Sequence, residues 1–148
     1  MSLDVEVAAD GVRVPLSRER VAELARAALR AEGVRDATLS IAFVPAAAIA
    51  RINARHLGHR GPTDVISFPI AAVAGGPRGG DIYIAPEVAR TNARRHGAGV
   101  REEIARLVVH AVLHVLGHDH PEGEARTTSP MWRRQEALLR RHQGAWRA

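Results

Sequence analysis

The feature that most constrains this chain is the segment HAVLHVLGHDH, which spans residues 110–120 and holds four histidines. His110 and His114 are four residues apart, so on a helix their imidazoles project from the same face, one turn apart. Gly117 then allows a sharp turn, because glycine tolerates a positive φ, and that turn can bring His120 back to the pair. Three imidazoles with a fourth position left for water is the arrangement of a catalytic zinc site. The spacing therefore predicts one zinc-type ion (Zn²⁺) per chain, held by His110, His114 and His120.

The helix around these histidines is apolar on nearly every side, which is typical of a buried helix. Its apolar residues are Ile104, Leu107, Val108, Ala111, Val112, Leu113, Val115 and Leu116. A buried imidazole without a partner costs about 1–3 kcal/mol, and metal ligation removes that cost for one ring nitrogen while the other still needs an acceptor. Ordinary hydrogen-bonded core histidines are the alternative, but four of them around one glycine favour the metal site.

Composition narrows the classes of protein. The chain has no cysteine, so nitrogen or oxygen atoms must hold any metal. Its 148 residues suit one domain, and with only 3% aromatic residues, Val, Ile, Leu and Ala must fill the core. All 21 cationic side chains are Arg, and the net charge of +5 suits phosphate binding, although a GC-rich genome would explain the same usage. Lacking a signal peptide or a membrane-length apolar run, the chain is expected to be a soluble, cytoplasmic protein.

Alternation, caps and turn residues predict an α+β fold in a single domain over residues 1–148, with the metal site on a central buried helix. We expect about four strands, at 3–8, 37–44, 65–68 and 81–85, and about five helices, at 18–31, 46–57, 86–96, 100–116 and 131–141. Ser17 and Ser129 are the predicted N-caps of the first and last helices. Residues 71–80 are predicted to form a flexible loop, and 143–148 are predicted to form a loose tail. The strand at 81–85 alternates in a way typical of a sheet edge, and its residues 81–84 could line the substrate cleft.

The histidine spacing also matches the metal-binding frame of the metzincin proteases, H-x-x-x-H-x-x-G-x-x-H. Those enzymes carry Glu directly after the first histidine, where it acts as the general base. Ala111 occupies that position here, and a methyl group cannot accept a proton. The sequence therefore predicts a metal site of this geometry without ordinary metzincin proteolysis.

Four blocks of the sequence, in order, resemble the YbeY-type endoribonucleases of ribosomal RNA maturation. The strongest is HAVLHVLGHDH, which is similar to that family's H-G-x-L-H-L-x-G-Y-D-H signature. The others are INARHLGHRGPTDVISFP at 52–69, GDIYIAPEVARTNA at 80–93 and MWRRQEALL at 131–139. The resemblance covers most of the chain from Ile52 onward, whereas the N-terminal third is generic.

This resemblance implies a small mixed four-stranded sheet with the histidine helix beneath it, and zinc ligands at His110, His114 and His120. It also implies cleavage of single-stranded RNA, with roles in small-subunit rRNA 3′-end processing and in ribosome quality control. The implied partners are single-stranded RNA or rRNA and the small ribosomal subunit, with no membrane involved.

The chain departs from the family pattern at Leu57, where many members have an Arg that is thought to serve the active site. Arg55 and Arg60 flank this position and are the candidates for contacting RNA phosphates, and His56 or His59 could also contact them. The alternative is that these side chains form a solvated helix end and turn.

The predicted reaction is metal-assisted phosphodiester hydrolysis, with His114 and Asp119 as the candidate catalytic residues. The general base is not identified: Asp119 equally suits orienting a ligand histidine, and His118 replaces the family Tyr beside it. Asp64 is interpreted as fixing the turn before the third strand. Two other classes stay open, namely a non-catalytic ribosome-assembly factor with a structural zinc, and a metallohydrolase of another substrate.

Overall fold

A computed structural model of the chain describes residues 1–70 and 76–147. Within these ranges the strands are β1 (Leu3–Ala9), β2 (Ala37–Phe43), β3 (Val65–Ile70) and β4 (Arg78–Ile84). The α-helices are α1 (Arg18–Ala31), α2 (Ala46–Leu57), α3 (Pro86–Arg95), α4 (Val100–Val115) and α5 (Pro130–Arg141). Two short 3₁₀ helices, Gly123–Thr128 and Gln143–Ala145, flank α5. None of the described helices is both long and apolar enough to cross a membrane.

The four strands form one mixed sheet in the order β1-β2-β4-β3. The pairs β1–β2 and β2–β4 are parallel, and β3 pairs antiparallel to β4. This confirms the α+β class and the mixed four-stranded sheet. The prediction that 81–85 form a sheet edge is wrong, because β4 lies between β2 and β3. Alternate residues of β4 are buried and half-buried, because one face of the sheet is only partly covered at this strand. An interior strand can therefore show the same alternation as an edge strand.

The β3–β4 connection is shorter than the sequence predicts. β3 continues through Pro69 to Ile70, since proline is tolerated on an edge strand whose N–H side is unpaired. β4 begins at Arg78, so the loop prediction is wrong for 78–80, where Gly79 and Gly80 join the sheet. Residues 76–77 of that predicted loop lie outside the strands, and 71–75 lie outside the described residues.

The helix boundaries follow the predicted caps closely. The Ser17 Oγ accepts the Arg20 N–H at 3.2 Å, and the Ser129 Oγ accepts the Trp132 N–H at 3.2 Å. The predicted loose tail is wrong for its described residues, 143–147, because Trp146 is only 8% exposed and its Nε1 donates to the Leu139 carbonyl at 3.0 Å. A single tryptophan buries enough apolar surface to hold a short polar segment against the core.

Helix α4 lies at the centre of the molecule, where it packs against α1, α3 and α5 and against the sheet at β3 and β4. Its C-terminal turn approaches the sheet very closely at Gly80. A Cβ at that position would lie 2.6 Å from Cγ2 of Val115, so only glycine fits there. This contact fixes the end of α4 that carries the second histidine.

Candidate active site

Helix α4 and the turn that follows it bring the three predicted metal ligands together. One ring nitrogen from each of His110, His114 and His120 can be chosen so that all three lie within 4.8 Å of one another. The ring centroids are 4.6 Å apart for His110–His114, 5.2 Å for His110–His120 and 5.0 Å for His114–His120. This triad can hold a metal ion, and imidazole nitrogen is a common ligand type for zinc.

The turn that returns His120 to the helix is a glycine-dependent helix end. Gly117 has a φ of 99°, its N–H donates to the His114 carbonyl at 3.0 Å, and the His118 N–H donates to the Leu113 carbonyl at 2.9 Å. These two bonds form a Schellman motif, which satisfies the last carbonyls of the helix. The turn predicted at Gly117 is therefore present.

The ring of His110 is held by a chain of buried polar side chains. Its Nδ1 lies 2.6 Å from Oε1 of Gln135, which can only accept, so Nδ1 carries the hydrogen and Nε2 has a free lone pair. Gln135 is 1% exposed and donates through Nε2 to Glu136 at 3.1 Å. Glu136 in turn accepts two bonds from Arg106, both at 3.0 Å. The hydrogen-bond acceptor for the second ring nitrogen of His110, which the sequence predicts without identifying the residue, is therefore Gln135 in the MWRRQEALL block.

The electrostatics of two of the three histidines, His110 and His114, favour neutral imidazoles. Burial lowers the pKa of His110 to about 4 against the opposing effect of Gln135, and nearby His114 and Arg126 lower it further. Burial also lowers the pKa of His114, with a contribution from His120. Metal ligation needs the unprotonated ring, so these histidines are ready to bind an ion at neutral pH.

The other two residues of the GHDH segment have different surroundings. His118 turns to α1, where its Nε2 lies 2.6 Å from Glu32 Oε1, and it is outside the metal-binding group. Asp119 is exposed, and its Oδ1 accepts the backbone N–H of His120 at 2.8 Å. The Asp119 charge also acts to raise the pKa of His114, which places the carboxylate beside the triad.

The predicted RNA-binding residues lie at the exposed C-terminal end of α2 and in the following turn. Arg55, His59 and Arg60 are all exposed, and the Leu57 side chain is 46% exposed. The turn is organised by buried Asn53, whose Nδ2 donates to the Gly61 carbonyl at 3.1 Å. The exposure fits a phosphate contact as well as a solvated helix end, so their role in RNA binding stays a prediction.

Sequence reasoning missed Arg126, an arginine of the 3₁₀ helix after the triad. Its positive charge lowers the pKa of both His110 and His114, so it lies close to the metal-binding group. Its Nε is buried and has no hydrogen-bond partner among the described residues. Its Cζ lies 6.0 Å from the ring centroid of Trp132. Position 126 falls between two recognisable blocks, and nothing local in the sequence marks it.

Arg126, Trp132, Gln135 and His110 share a cavity of about 710 Å³. This volume is within the range of small-ligand sites in proteins. The triad therefore adjoins, through His110, a space that a substrate group can enter.

The comparison with known proteins is decisive for the family. The family model described as Endoribonuclease YbeY matches residues 7–143. The chain belongs to the endoribonuclease YbeY family. An Endoribonuclease YbeY of Thermobifida fusca is 40% identical over 131 residues, covering 82% of this chain and 83% of the relative. One of Salinispora tropica is 37% identical over 144 residues, covering 88% of each chain.

A solved structure shows the same fold. The solution structure of a Thermotoga maritima protein aligns with a TM-score of 0.65 at 24% identity, covering 97% of this chain and 91% of that one. Family membership confirms the resemblance read from the four sequence blocks, together with the expectation of an endoribonuclease.

Proposed function

We propose that this protein is a zinc-dependent endoribonuclease that hydrolyses phosphodiester bonds of single-stranded RNA during rRNA maturation. The single observation that carries the proposal is the convergence of His110, His114 and His120, with His110 lining a cavity that also holds Arg126. Membership of the family supports RNA as the substrate. Processing of the small-subunit rRNA 3′ end and ribosome quality control, in the cytoplasm and in contact with the small subunit, belong to the same proposal.

The donor set fits zinc. Three imidazoles are supplied, the Nδ1 of His110 is bonded to Gln135, and the Nδ1 of His120 lies 2.9 Å from the Pro121 carbonyl. Such second contacts fix the ring orientation of metal ligands. When bound, the ion supplies Lewis-acid activation of water and of a phosphoryl oxygen at this site.

The chain itself supplies charge and proton transfer. Arg126 is our candidate for countering the negative charge that grows on the phosphate, since its guanidinium lies beside the triad and presents a planar fork of donors. Asp119 is our candidate for the proton acceptor, with its carboxylate fixed by the His120 N–H. Arg55, His59 and Arg60 would bind phosphates further along the strand. No carboxylate follows the first histidine, since buried Ala111 stands there, so peptide hydrolysis is not expected.

The test compares RNA cleavage by zinc-loaded protein with that of His114→Ala, each purified free of contaminating nucleases. We expect the parent to cut unstructured RNA, and His114→Ala and chelated protein to lose that activity while staying folded. Unfolding on chelation, with no cleavage before it, would support a structural zinc in an assembly factor instead. Metal-dependent cleavage of casein that is lost in His114→Ala would replace the RNA substrate with a peptide.

The phosphate contacts are tested by salt titration of RNA binding. Each phosphate contact on a single strand contributes about 0.7 to the slope of log affinity against log salt. Arg126→Ala, Arg55→Ala and Arg60→Ala should each flatten the slope. Arg126→Ala alone should also reduce the cleavage rate of saturated enzyme, because only its guanidinium lies beside the triad. A slope equal to the parent's removes that arginine from the proposed contacts.

A further inference from the structure

The cavity beside the triad extends well past the groups that the proposed hydrolysis uses. Its lining runs from His110 and Arg126 to Asp64, to Asn92 on α3 and to Glu103 in the first turn of α4. At about 710 Å³ it has room for a nucleotide rather than for a phosphate alone. The lining carries carboxylates at Asp64, Glu102 and Glu103 and basic side chains at His96, Arg106 and Arg126.

Glu103 is the residue that the fold leaves unexplained. It is 7% exposed, and its nearest charged partner is Arg106, with Oε2 and Nη1 3.6 Å apart. That distance is too long for a hydrogen bond, and Arg106 already makes two bonds to Glu136. In the part of the chain that the structure describes, no hydrogen bond reaches the Glu103 carboxylate. The carboxylate is therefore paired only through its ionic contact with Arg106, and a donor that enters the cavity can supply the hydrogen bonds that it lacks.

A second carboxylate lies close by. Asp64 accepts from Asn92 Nδ2 at 3.2 Å, and its backbone carbonyl accepts the Ala85 N–H at 2.9 Å, so it is fixed at the start of β3. Burial raises the pKa of Glu103, and the Asp64 charge adds to that rise, which shows that the two acids share one region. These bonds agree with the interpretation of Asp64 as a residue that fixes the turn before β3. Asp64 also lines the cavity, where its carboxylate can accept further hydrogen bonds.

The chemistry of this region selects among ligand groups. Arg106 offsets part of the charge of Glu103 and Asp64, but its guanidinium is already bonded to Glu136. A phosphate is therefore better placed beside Arg126, whose Nε has no hydrogen-bond partner among the described residues. Among the described residues the histidine triad is the group identified as able to hold a metal ion, so a second cation is not favoured. A planar group with several N–H donors fits best, and Trp132 in the lining offers an aromatic surface for it.

We propose that this cavity is a nucleobase subsite next to the cleaved phosphate, and that it prefers guanine, whose N1–H and N2–H₂ donate to the Glu103 carboxylate. Guanine presents two adjacent donors on its pairing edge, which match the two oxygens of a carboxylate. Adenine and cytosine present one amino group beside a ring acceptor, and uracil places its single N–H between two carbonyls, so a carboxylate partly repels each of them. This inference rests on the proposed RNA substrate and names the position that gives it base specificity.

The experiment uses zinc-loaded protein and four six-nucleotide RNAs, an oligouridine and its single-G, single-A and single-C variants. Binding is measured by fluorescence anisotropy, and cleavage by product analysis. We expect the G-containing strand to bind about tenfold or more tightly than oligouridine, the discrimination typical of a bidentate base contact. Glu103→Gln should reduce that ratio to about twofold or less, with unchanged zinc content and unchanged affinity for oligouridine.

Glu23→Gln, which changes an exposed acid on α1, is the matched control and should keep the parent's ratio. If Glu103→Gln does not fold, titration of the parent with guanosine and uridine 5′-monophosphates still decides, since guanosine should bind more tightly. Equal affinity for the four RNAs, or a G preference that survives in Glu103→Gln, overturns the subsite. Cleavage of all four RNAs without preference refutes only the subsite, whereas G-selective binding with no cleavage refutes only the proposed hydrolysis.

Discussion

The contact between Gln135 and His110 gives the most direct test of how the fold supports the metal site. In Gln135→Leu the side chain keeps a similar size but loses the oxygen that lies 2.6 Å from His110 Nδ1. The imidazole is 6% exposed, so water cannot easily replace that oxygen. The ring is then free to place its hydrogen on Nε2, where it blocks the metal.

The magnitude follows from the buried donor. An unsatisfied buried N–H costs about 1–3 kcal/mol, and the loss of a ligand's hydrogen-bond partner typically lowers metal affinity about 10–100-fold. The two figures agree, since about 1.4 kcal/mol is a factor of ten in affinity. We therefore expect Gln135→Leu to weaken zinc binding by about 10–100-fold, with a smaller effect on folding of the metal-free protein.

Competition with a chromophoric chelator measures this affinity directly. Gln135→Glu should retain most of the zinc affinity, because a carboxylate also accepts from Nδ1. Gln143→Leu is the matched control, since the Gln143 side chain accepts from Arg147 rather than from a histidine. Parent-like zinc affinity in Gln135→Leu, alongside strong loss in His110→Ala, would refute the argument that this bond sets the tautomer of the ligand.

Changes at the triad, at the sheet–helix contact and in pH have equally definite outcomes. Metal analysis should find about one zinc per chain in the parent and in His118→Ala, with strong loss in the alanine variants of the three ligands; full metal in any of those removes that residue from the site. Gly80→Ala should lower the free energy of unfolding by about 1–3 kcal/mol, because its Cβ would lie 2.6 Å from Val115, and an unchanged denaturant midpoint would contradict this. The pKa of His110 is about 4 in the folded protein, whereas its ordinary value is 6.5. As the pH falls, His110 is therefore protonated in the unfolded chain before it is protonated in the folded protein. Metal-free protein should therefore lose about 3 kcal/mol of stability progressively between about pH 6.5 and pH 4, as denaturant titrations would show, and an identical pH dependence in His110→Ala would exclude this origin.

The parts of the site that the sequence predicts are those set by short-range geometry. The i, i+4 histidines, the turn at Gly117 and the cap at Ser129 each depend on residues within one or two helical turns. Their spacing in the chain therefore determines their distance in the folded protein. The order of the strands cannot be predicted in this way, because the alternation of residues in β4 shows which side chains are buried and not which strands pair with it. The structure was needed to place that strand inside the sheet.

The contacts that tune the site are distant in sequence and have no local pattern. Gln135 meets His110 across 25 residues, and Glu32 meets His118 across 86. The sequence predicts that the second ring nitrogen of His110 needs a hydrogen-bond acceptor, but several polar residues of the chain could supply one. Only the packing of α5 against α4 selects Gln135 among them.

The same reasoning applies to the positive charge that the family pattern places at Leu57. Stabilisation of charge on a phosphate depends on where a guanidinium lies relative to that phosphate, and not on which element carries it. Sequence alignment directs attention to Arg55 and Arg60, because they are neighbours of Leu57 in the chain. The structure places Arg126, from a different segment, at the same cavity as His110, with its Nε buried and without a hydrogen-bond partner among the described residues. A phosphate that enters this cavity can supply the acceptor that the Nε lacks. Our proposal therefore assigns to Arg126 the positive charge that the family pattern places at position 57.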